Sequence, residues 1–516
     1  KHKIGFMDNA NISVLVSNEL MAAIKADAQW NLEYPDINDR PTKEIYDKEW
    51  TGDLLEWKKK GYKTVVFKTV RARDLWKKLI HSAWRSAEPG IVFHGRYNDL
   101  SNSYYFNPIV CTNPCGEQGL PPWGVCNLGH LALNNFVIKK GEDDIGPLYE
   151  FDWDALERMT ATLTRFLDNL IDLTPYIFKE NEDNQKSERR VGLGTLGLAE
   201  VLIRLRLKFG SKEGTAFMDR LYKKIAMTAY GTSIELAKEK GMFDKCVPEK
   251  FVKSGFMKNM PQEIRDGVLK HGIRNVTLTT QAPTGTVGSM LGTSTGIEPF
   301  FAFKYFQQSR LGFHEVEIDL VKDYKKKPDG SLQDFFVSAM ELGPEDHVLV
   351  QAAIQRWTDS SISKTANVPP EFTVEQTMSL YEFAYDHGCK GMTIYRDGSR
   401  DEQVLSTDAS TEAKNAAEKG GASSAPIAED EIIEDVASKQ EDVPAMRETD
   451  ATAVKPDEKR PTAEEFEALE EADADVVYGS EPGNTCPICK KGTMVKIGGC
   501  TECSSGCGFK GGCDMK

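Results

Sequence analysis

The residues best suited to chemistry are grouped in one short span, Cys111-Thr-Asn113-Pro-Cys115-Gly-Glu117-Gln. Pro114 disfavours a helix and Gly116 frees the backbone, so an extended loop or a turn is expected. If the span is extended, Asn113, Cys115 and Glu117 face one side. A hydrogen-bonding amide, a sulfur and a general base would then share one wall. The plainer alternative is a polar turn in which the Cys is buried and the Glu solvated. Nine residues past Glu117, Cys126 in Gly124-Val-Cys126-Asn-Leu-Gly offers a second sulfur that could return to the same pocket.

A second stretch, Thr279-Thr-Gln-Ala-Pro283-Thr-Gly285-Thr286-Val-Gly-Ser289, follows a β-branched run and leads into Met290-Leu-Gly-Thr-Ser. A strand that ends in a Pro/Gly/Thr loop and starts a helix presents backbone N–H groups and hydroxyls to an anion. A capped helix start without a ligand explains the pattern equally well, and no Gly-Lys-Ser/Thr of a P-loop follows. Gly192-Leu-Gly194-Thr-Leu-Gly197 matches G-x-G-x-x-G but follows the polar stretch Asn181 to Arg190. Its glycines are read as allowing close helix packing rather than binding a dinucleotide.

The chain ends in a cysteine cluster: Cys486-Pro-Ile-Cys489, Cys500-Thr-Glu-Cys503, then Cys507 and Cys513. Two CxxC pairs at this spacing fit a four-cysteine zinc ribbon, and a module this small has no other evident source of stability. The second pair of ligands is Cys500 with Cys503 or Cys503 with Cys507. With the first choice, Cys507 and Cys513 form a dithiol suited to thiol–disulfide exchange. The eight histidines are scattered, and no pair has ligand spacing. Cys246 and Cys389 read as ordinary buried small residues.

These groups need a scaffold. At 516 residues the chain has room for several domains. The apolar residues Leu75, Trp76, Leu79, Ile80, Ala83 and Trp84 predict a helix over 72–88, ended by Pro89-Gly90. Trp153, Leu156, Met159, Leu163, Phe166, Leu167 and Leu170 predict a second core-facing helix that stops near Pro175. β-branched stretches at Thr64-Val-Val-Phe, Ile91-Val-Phe and Val276-Thr-Leu-Thr-Thr alternate with such helices, as in an α/β domain. The net charge of −15 is unevenly spread: residues 401 to 480 carry 23 acidic and 7 basic side chains, leaving +1 on the other 436 residues. Residues 401–482, rich in Ala, Glu, Asp, Ser and Thr, therefore read as a disordered acidic linker between a body at 1–400 and a ribbon at 483–516. No run of 18 apolar residues and no secretory leader pattern occurs, so a cytoplasmic protein without a membrane segment is expected.

Taken together, these stretches resemble the catalytic subunit of adenosylcobalamin-dependent (class II) ribonucleotide reductase. The matching segments are Asp8-Asn-Ala-Asn-Ile-Ser-Val14, Thr112-Asn-Pro-Cys-Gly-Glu-Gln118, Cys126-Asn-Leu-Gly129, Arg190-Val-Gly-Leu-Gly194, Ala282-Pro-Thr-Gly-Thr286, Gly292-Thr-Ser-Thr-Gly-Ile-Glu-Pro299, Ser361-Ile-Ser-Lys-Thr-Ala-Asn367 and Lys390-Gly-Met-Thr-Ile-Tyr-Arg-Asp-Gly398. They occur in family order across nearly all of residues 1 to 400. The resemblance implies an α/β fold, part of a ten-stranded α/β barrel. It implies that Cys115 becomes a thiyl radical after losing its hydrogen atom to a radical derived from adenosylcobalamin, and that the thiyl takes the 3′-hydrogen of a ribonucleotide. Glu117 would then be the general base on the 3′-hydroxyl, and Asn113 would hold the ribose hydroxyls. Cys126 would be one of two thiols that end as a disulfide. Pro283, Thr284, Gly285, Thr286 and Val287 would bind the substrate phosphates. Cys507 and Cys513 would re-reduce the buried disulfide and be recycled by a thioredoxin-like partner. About 80 flexible residues span on the order of 50 Å, enough for such a tail to reach in and swing out.

The family's other barrel thiol, the first half of the barrel and the allosteric site precede the segment that matches Asp8 to Val14. The chain, which starts at Lys1, is therefore expected to be a C-terminal portion, from a truncated record or a split enzyme. It should be inactive without the N-terminal half, and a homo-oligomer is expected. Class I reductases share the Asn-Cys-Glu spacing, but their radical enters through tyrosines in the tail, and Tyr478 is the last tyrosine here. Class III would need a glycyl-radical motif after Cys486, which the sequence lacks. A non-catalytic half of a split reductase would not need Asn113, Cys115 and Glu117 together. The few basic residues of the ribbon argue against nucleic-acid binding.

Overall fold

The computed structural model describes residues 11–309, 312–397, 399, 405–406, 493–497, 500–504 and 510–513, with the side chains of 305–317, 405–406, 494–497, 500–503 and 510–513 excepted. Residues 9–422 form one unit, and residues 423–516 belong to a second.

The first predicted helix runs Ala72–Ser86. Trp76, Ile80 and Ala83 are buried, and Leu75 and Leu79 pack beside them. It ends where Ala87 adopts φ 57°, ahead of Pro89, which cannot continue a helix. Its apolar face lies against helix Val374–Asp386, where the Trp76 and Tyr381 rings meet edge to face at 6.2 Å. These helices cover a four-stranded sheet ordered Ser13–Leu15, Gly90–Val92, Gly391–Arg396, Thr365–Val368. The outer pairs are parallel (Val14↔Ile91, Ala366↔Ile394), and the central pair is antiparallel (Met392↔Ile91).

A second group of strands carries the chemistry. Leu128–Ala132 pairs in parallel with Gly192–Leu196, and His130 stands opposite Gly194. The β-branched run near Val276 pairs on both sides, although it is too irregular to count as a strand of its own. Leu193 N–H donates to Leu278 O at 2.7 Å, and Thr280 N–H donates back to Leu193 O at 2.9 Å. On the other flank Ser360 N–H reaches Thr279 O at 3.0 Å and Gln281 N–H reaches Ser361 O at 3.1 Å. Residues 128–132, 192–196, 277–281 and 360–363 thus run side by side. The fold is mixed α/β, and among the described residues the strands do not close into a barrel.

The second predicted helix is Trp153–Leu173, packed on the 29-residue helix Lys212–Lys240. Leu156 and Leu167 are buried, whereas Met159 (49% exposed) and Phe166 (54%) face outward, contrary to the expected core stripe. The apolar arc is wider than the neighbouring helix covers. Midway along this helix, Asp168 is fully buried and accepts from Arg189 Nε at 2.7 Å and from Asn275 Nδ2 at 3.1 Å, with Lys240 and Arg274 within 3.4 Å. One carboxylate therefore anchors the segments that lead into strands 192–196 and 277–281. Asp168→Ala should cost about 3 kcal/mol, because it leaves buried cations and an amide without their acceptor. Urea denaturation would show it, and a midpoint shift worth less than 1 kcal/mol would refute the anchoring role.

Thr64-Val-Val-Phe lies in strand Thr64–Arg71, which pairs antiparallel with Gln29–Pro35 in a separate two-stranded sheet. Phe67 is 72% exposed there, so the stretch is not a core strand. In the second unit, Met494–Ile497, Cys500–Cys503 and Lys510–Cys513 form an antiparallel sheet in which Cys500 faces both Ile497 and Cys513. Cys486, Cys489, Cys507 and nearly all of the linker 401–482 lie outside the described residues. Among the described residues, no helix is long and apolar enough to cross a membrane.

Candidate active site

The Asn113–Glu117 span is the loop of a hairpin rather than an extended strand. Cys111–Thr112 pairs antiparallel with Gly119–Leu120, and the six residues between them turn through Gly116 at φ 81°. Asn113 closes the turn with its backbone and its side chain. Its N–H donates to Gln118 O at 3.0 Å, its Oδ1 accepts from Gln118 N–H at 2.9 Å, and its Nδ2 donates to Glu117 Oε1 at 2.7 Å. The turn, not strand alternation, brings the three groups together. Cys115 stands exposed at the apex, while Glu117 is 2% exposed. This is the reverse of a buried Cys beside a solvated Glu.

Glu117 is held by its backbone. Its carbonyl accepts from Ser361 N–H (2.8 Å), Thr280 Oγ1 (2.9 Å) and Ser360 Oγ (3.0 Å). Its Oε2 is buried with no hydrogen-bond partner. Burial raises the carboxyl pKa above its ordinary value, against the lowering effect of a backbone N–H and of Asn113. The Cys115 thiol is raised by partial desolvation first and then by the Glu117 charge. Cys126, also exposed, is pushed up to about 11 by desolvation and then by Glu117, against the pull of Arg190. Cys111 and Cys115 act on the Cys126 thiol in the same raising direction.

Beyond the apex lies an open cleft of about 190 Å³, lined by Cys115, Ser13, Ser363, Lys364 and Thr393 among others. Lys364 is fixed by Glu298 Oε2 at 2.5 Å and His347 Nδ1 at 2.9 Å. The other ring nitrogen of His347 meets the carbonyl of Ala339 at 3.0 Å, so Nε2 carries the proton and Nδ1 accepts. The 283–287 loop starts the short helix Gly285–Met290, with Thr284 at φ 50° and its Oγ1 accepting from Gly296 N–H at 2.7 Å. Gly285, Thr286 and Val287 are exposed, and their N–H groups belong to a first turn without intrahelical acceptors. Thr280, three residues before Pro283, holds Glu117, so one segment serves both places.

Two readings change. The G-x-G-x-x-G glycines do not serve helix packing. Gly192 and Gly194 lie within a strand, and a Cβ there would come within 2.5 Å of Gln118 Nε2 and 2.6 Å of Thr280 O respectively. Cys111, for which the resemblance supplies no catalytic counterpart and so favours a packing role, is exposed, and its Sγ–H points to Leu120 O at 3.7 Å. Cys246 and Cys389 are buried as expected. Sequence reasoning missed Tyr97, Ser360 and Lys390, which are buried behind Glu117. The one available signal was a lysine set in the otherwise uncharged stretch Gly388-Cys-Lys390-Gly-Met-Thr-Ile-Tyr.

Comparison with known proteins agrees with this geometry. The family model described as "Ribonucleotide reductase, barrel domain" matches residues 4–395. The "Vitamin B12-dependent ribonucleoside-diphosphate reductase" of Thermoplasma acidophilum is 31% identical over 401 residues, covering 73% of this chain and 49% of that protein. The protein of the same name from Mycobacterium tuberculosis (strain CDC 1551 / Oshkosh) is 32% identical over 362 residues, 66% of this chain and 49% of its own length. The "Ribonucleoside-diphosphate reductase large subunit" of Caenorhabditis elegans is 27% identical over 331 residues, 60% and 40% of the two chains. The chain spans about half the length of the first two relatives. With the match running through the Asn113–Glu117 hairpin and all four strands around it, the chain belongs to the ribonucleotide reductase barrel-domain family.

Proposed function

We propose that this chain is the C-terminal portion of a class II ribonucleotide reductase, part of a ten-stranded α/β barrel, and that Cys115 forms the radical that opens ribonucleotide reduction. The observation that carries the reading is a buried carboxylate, Glu117, held by Asn113 beneath an exposed thiol at the mouth of a cleft. Vitamin B12, on which the Thermoplasma and Mycobacterium relatives are named as dependent, would supply, bound as adenosylcobalamin, the acceptor for the hydrogen atom of Cys115. The cleft is smaller than the roughly 300 Å³ that encloses a drug-sized ligand. It therefore suits a nucleoside-sized group beside the thiol, which Ser13, Ser363 and Thr393 would hold.

The chain's own residues account for the remaining steps. Sulfur-centred Cys115 takes the 3′-hydrogen. Glu117 accepts the 3′-hydroxyl proton, and its unpartnered Oε2 is the free acceptor. Asn113 keeps one amide proton on Glu117 and has a second for a ribose hydroxyl. Cys126, whose raised pKa keeps it an S–H at neutral pH, donates the proton with which the 2′-oxygen leaves as water. The two electrons come from Cys126 and a second thiol that becomes its disulfide partner, and Cys115 recovers its hydrogen at the end. The Pro283 to Val287 loop binds the substrate phosphates, through the N–H groups of the exposed Gly285, Thr286 and Val287 and the threonine hydroxyls.

The second thiol is assigned to an N-terminal half of the reductase. Cys507 and Cys513 re-reduce the disulfide and pass the oxidation to a thioredoxin-like partner. Zinc would be held by Cys486, Cys489, Cys500 and Cys503, two CxxC pairs at ribbon spacing. The test is reconstitution. Residues 1–516 mixed with the N-terminal half, adenosylcobalamin and a dithiol should yield deoxyribonucleotide, and either polypeptide alone should not. Product from residues 1–516 alone would overturn the division of thiols, and no product from the complete mixture would overturn the function.

A further inference from the structure

Lys390 is fully buried, and among the described residues no carboxylate pairs with it. Its Nζ donates to the carbonyls of Asp359 at 2.6 Å and Ser360 at 2.7 Å, and it stands 4.7 Å from the centre of the Tyr97 ring. Burial lowers its pKa to about 7, with the nearby Asp359 acting in the opposite sense. A buried cation is costly to keep, so what it organises matters.

The Tyr97 hydroxyl accepts from Gly119 N–H at 2.6 Å and lies 2.8 Å from Ser360 Oγ. Ser360 Oγ is also 3.0 Å from the Glu117 carbonyl, an acceptor only, so the serine must donate there. Tyr97 therefore donates to Ser360. The protons run in one direction: Gly119 N–H to Tyr97 O–H to Ser360 O–H to Glu117 C=O. There is no slack at the first link, since a Cβ on Gly119 would stand 2.5 Å from Tyr97 Cζ. Asp359 secures the far side by accepting from Leu278 N–H (2.7 Å), Thr279 N–H (2.9 Å) and Tyr230 O–H (2.7 Å). Lys390 grips the two carbonyls and the ring on which the whole run depends.

We propose that Lys390 is a positioning residue for Glu117: it fixes Tyr97 and Ser360, and through them the place of the carboxylate beneath Cys115. The proposal rests on the reading of Glu117 as the general base. The experiment uses residues 1–516 and follows alkylation of Cys115 by iodoacetamide against pH, with the labelled peptides resolved by mass spectrometry. Desolvation and the Glu117 charge both hold the Cys115 thiol high. A hairpin released from its support should titrate lower, so Lys390→Met and Ser360→Ala should each raise the rate at pH 8, by about threefold, since the thiolate is the reacting form. A purely structural role would lower the melting temperature and leave the profile in place. Ser360→Ala keeps the buried cation and decides the matter if Lys390→Met does not fold. Glu117→Gln separates the two claims. If it moves the Cys115 profile but the Lys390 and Ser360 variants do not, the positioning role is overturned. If Glu117→Gln moves nothing, the reading of Glu117 as a charge under the thiol fails, and the positioning role fails with it.

Discussion

Cys115→Ser is expected to abolish ribonucleotide reduction in the reconstituted enzyme, by at least about 10⁴-fold, the order lost when the residue that forms the reactive intermediate is removed. An O–H bond gives up its hydrogen atom far less readily than an S–H bond, so a serine in the same place cannot open the reaction. The loss should come without unfolding. Cys115 is exposed at the apex of a turn whose shape is set by Gly116 and by the Asn113 bonds to Gln118 and Glu117. The variant should therefore melt within about 0.5 kcal/mol of the parent. Cys111 and Cys126 provide the internal contrast, because both are exposed and both lie near Cys115 in the sequence. Cys111→Ser should retain turnover, since no step uses it. Cys126→Ser should stop reduction after the radical has formed. Steady turnover by Cys115→Ser, measured as deoxyribonucleotide per enzyme, would move the radical to another sulfur.

The chemistry was legible where it is local. Asn113, Cys115 and Glu117 lie within five residues, and Pro114 with Gly116 excluded a helix, so their meeting was readable even though a turn rather than a strand achieves it. The helix at Ala72–Ser86 was readable because its apolar spacing and its stop at Pro89 agree. Spacing failed for Met159 and Phe166, since periodicity marks an apolar face but not how much of it a neighbour covers. Composition failed for Thr64-Val-Val-Phe, because β-branched residues suit an exposed hairpin as well as a buried strand. The support behind Glu117 was beyond reach. Tyr97 and Ser360 are 263 residues apart, and their partnership exists only once strands 277–281 and 360–363 lie side by side. The same holds for Asp168 and Asn275, which are 107 residues apart.

Glu117→Gln should move activity and stability in opposite directions. Gln keeps the shape and the acceptor for Asn113 Nδ2, but it cannot take a proton, so kcat/KM should fall by about 10²–10⁴-fold, the range supplied by a positioned general base. As the proposed general base Glu117 would have to be ionised to act, and burial raises its pKa. The acidic limb of the kcat/KM profile should therefore lie above the ordinary glutamate value of about 4.3 and should vanish from the residual activity of the variant. Stability follows from the same shift. With the folded-state pKa raised, the folded protein holds a proton over a range where the unfolded chain has lost it. The contribution of Glu117 to stability is then full below the unfolded pKa and is lost as pH rises through the folded one. Once ionised, the parent carboxylate has an Oε2 that is buried without a partner. The uncharged variant should melt higher than the parent at pH 7, and the advantage should disappear below about pH 4. Thermal melts at the two pH values decide it. A variant that melts lower at pH 7 would mean that the carboxylate is stabilised by contacts other than Asn113, and a fully active one would place the base elsewhere.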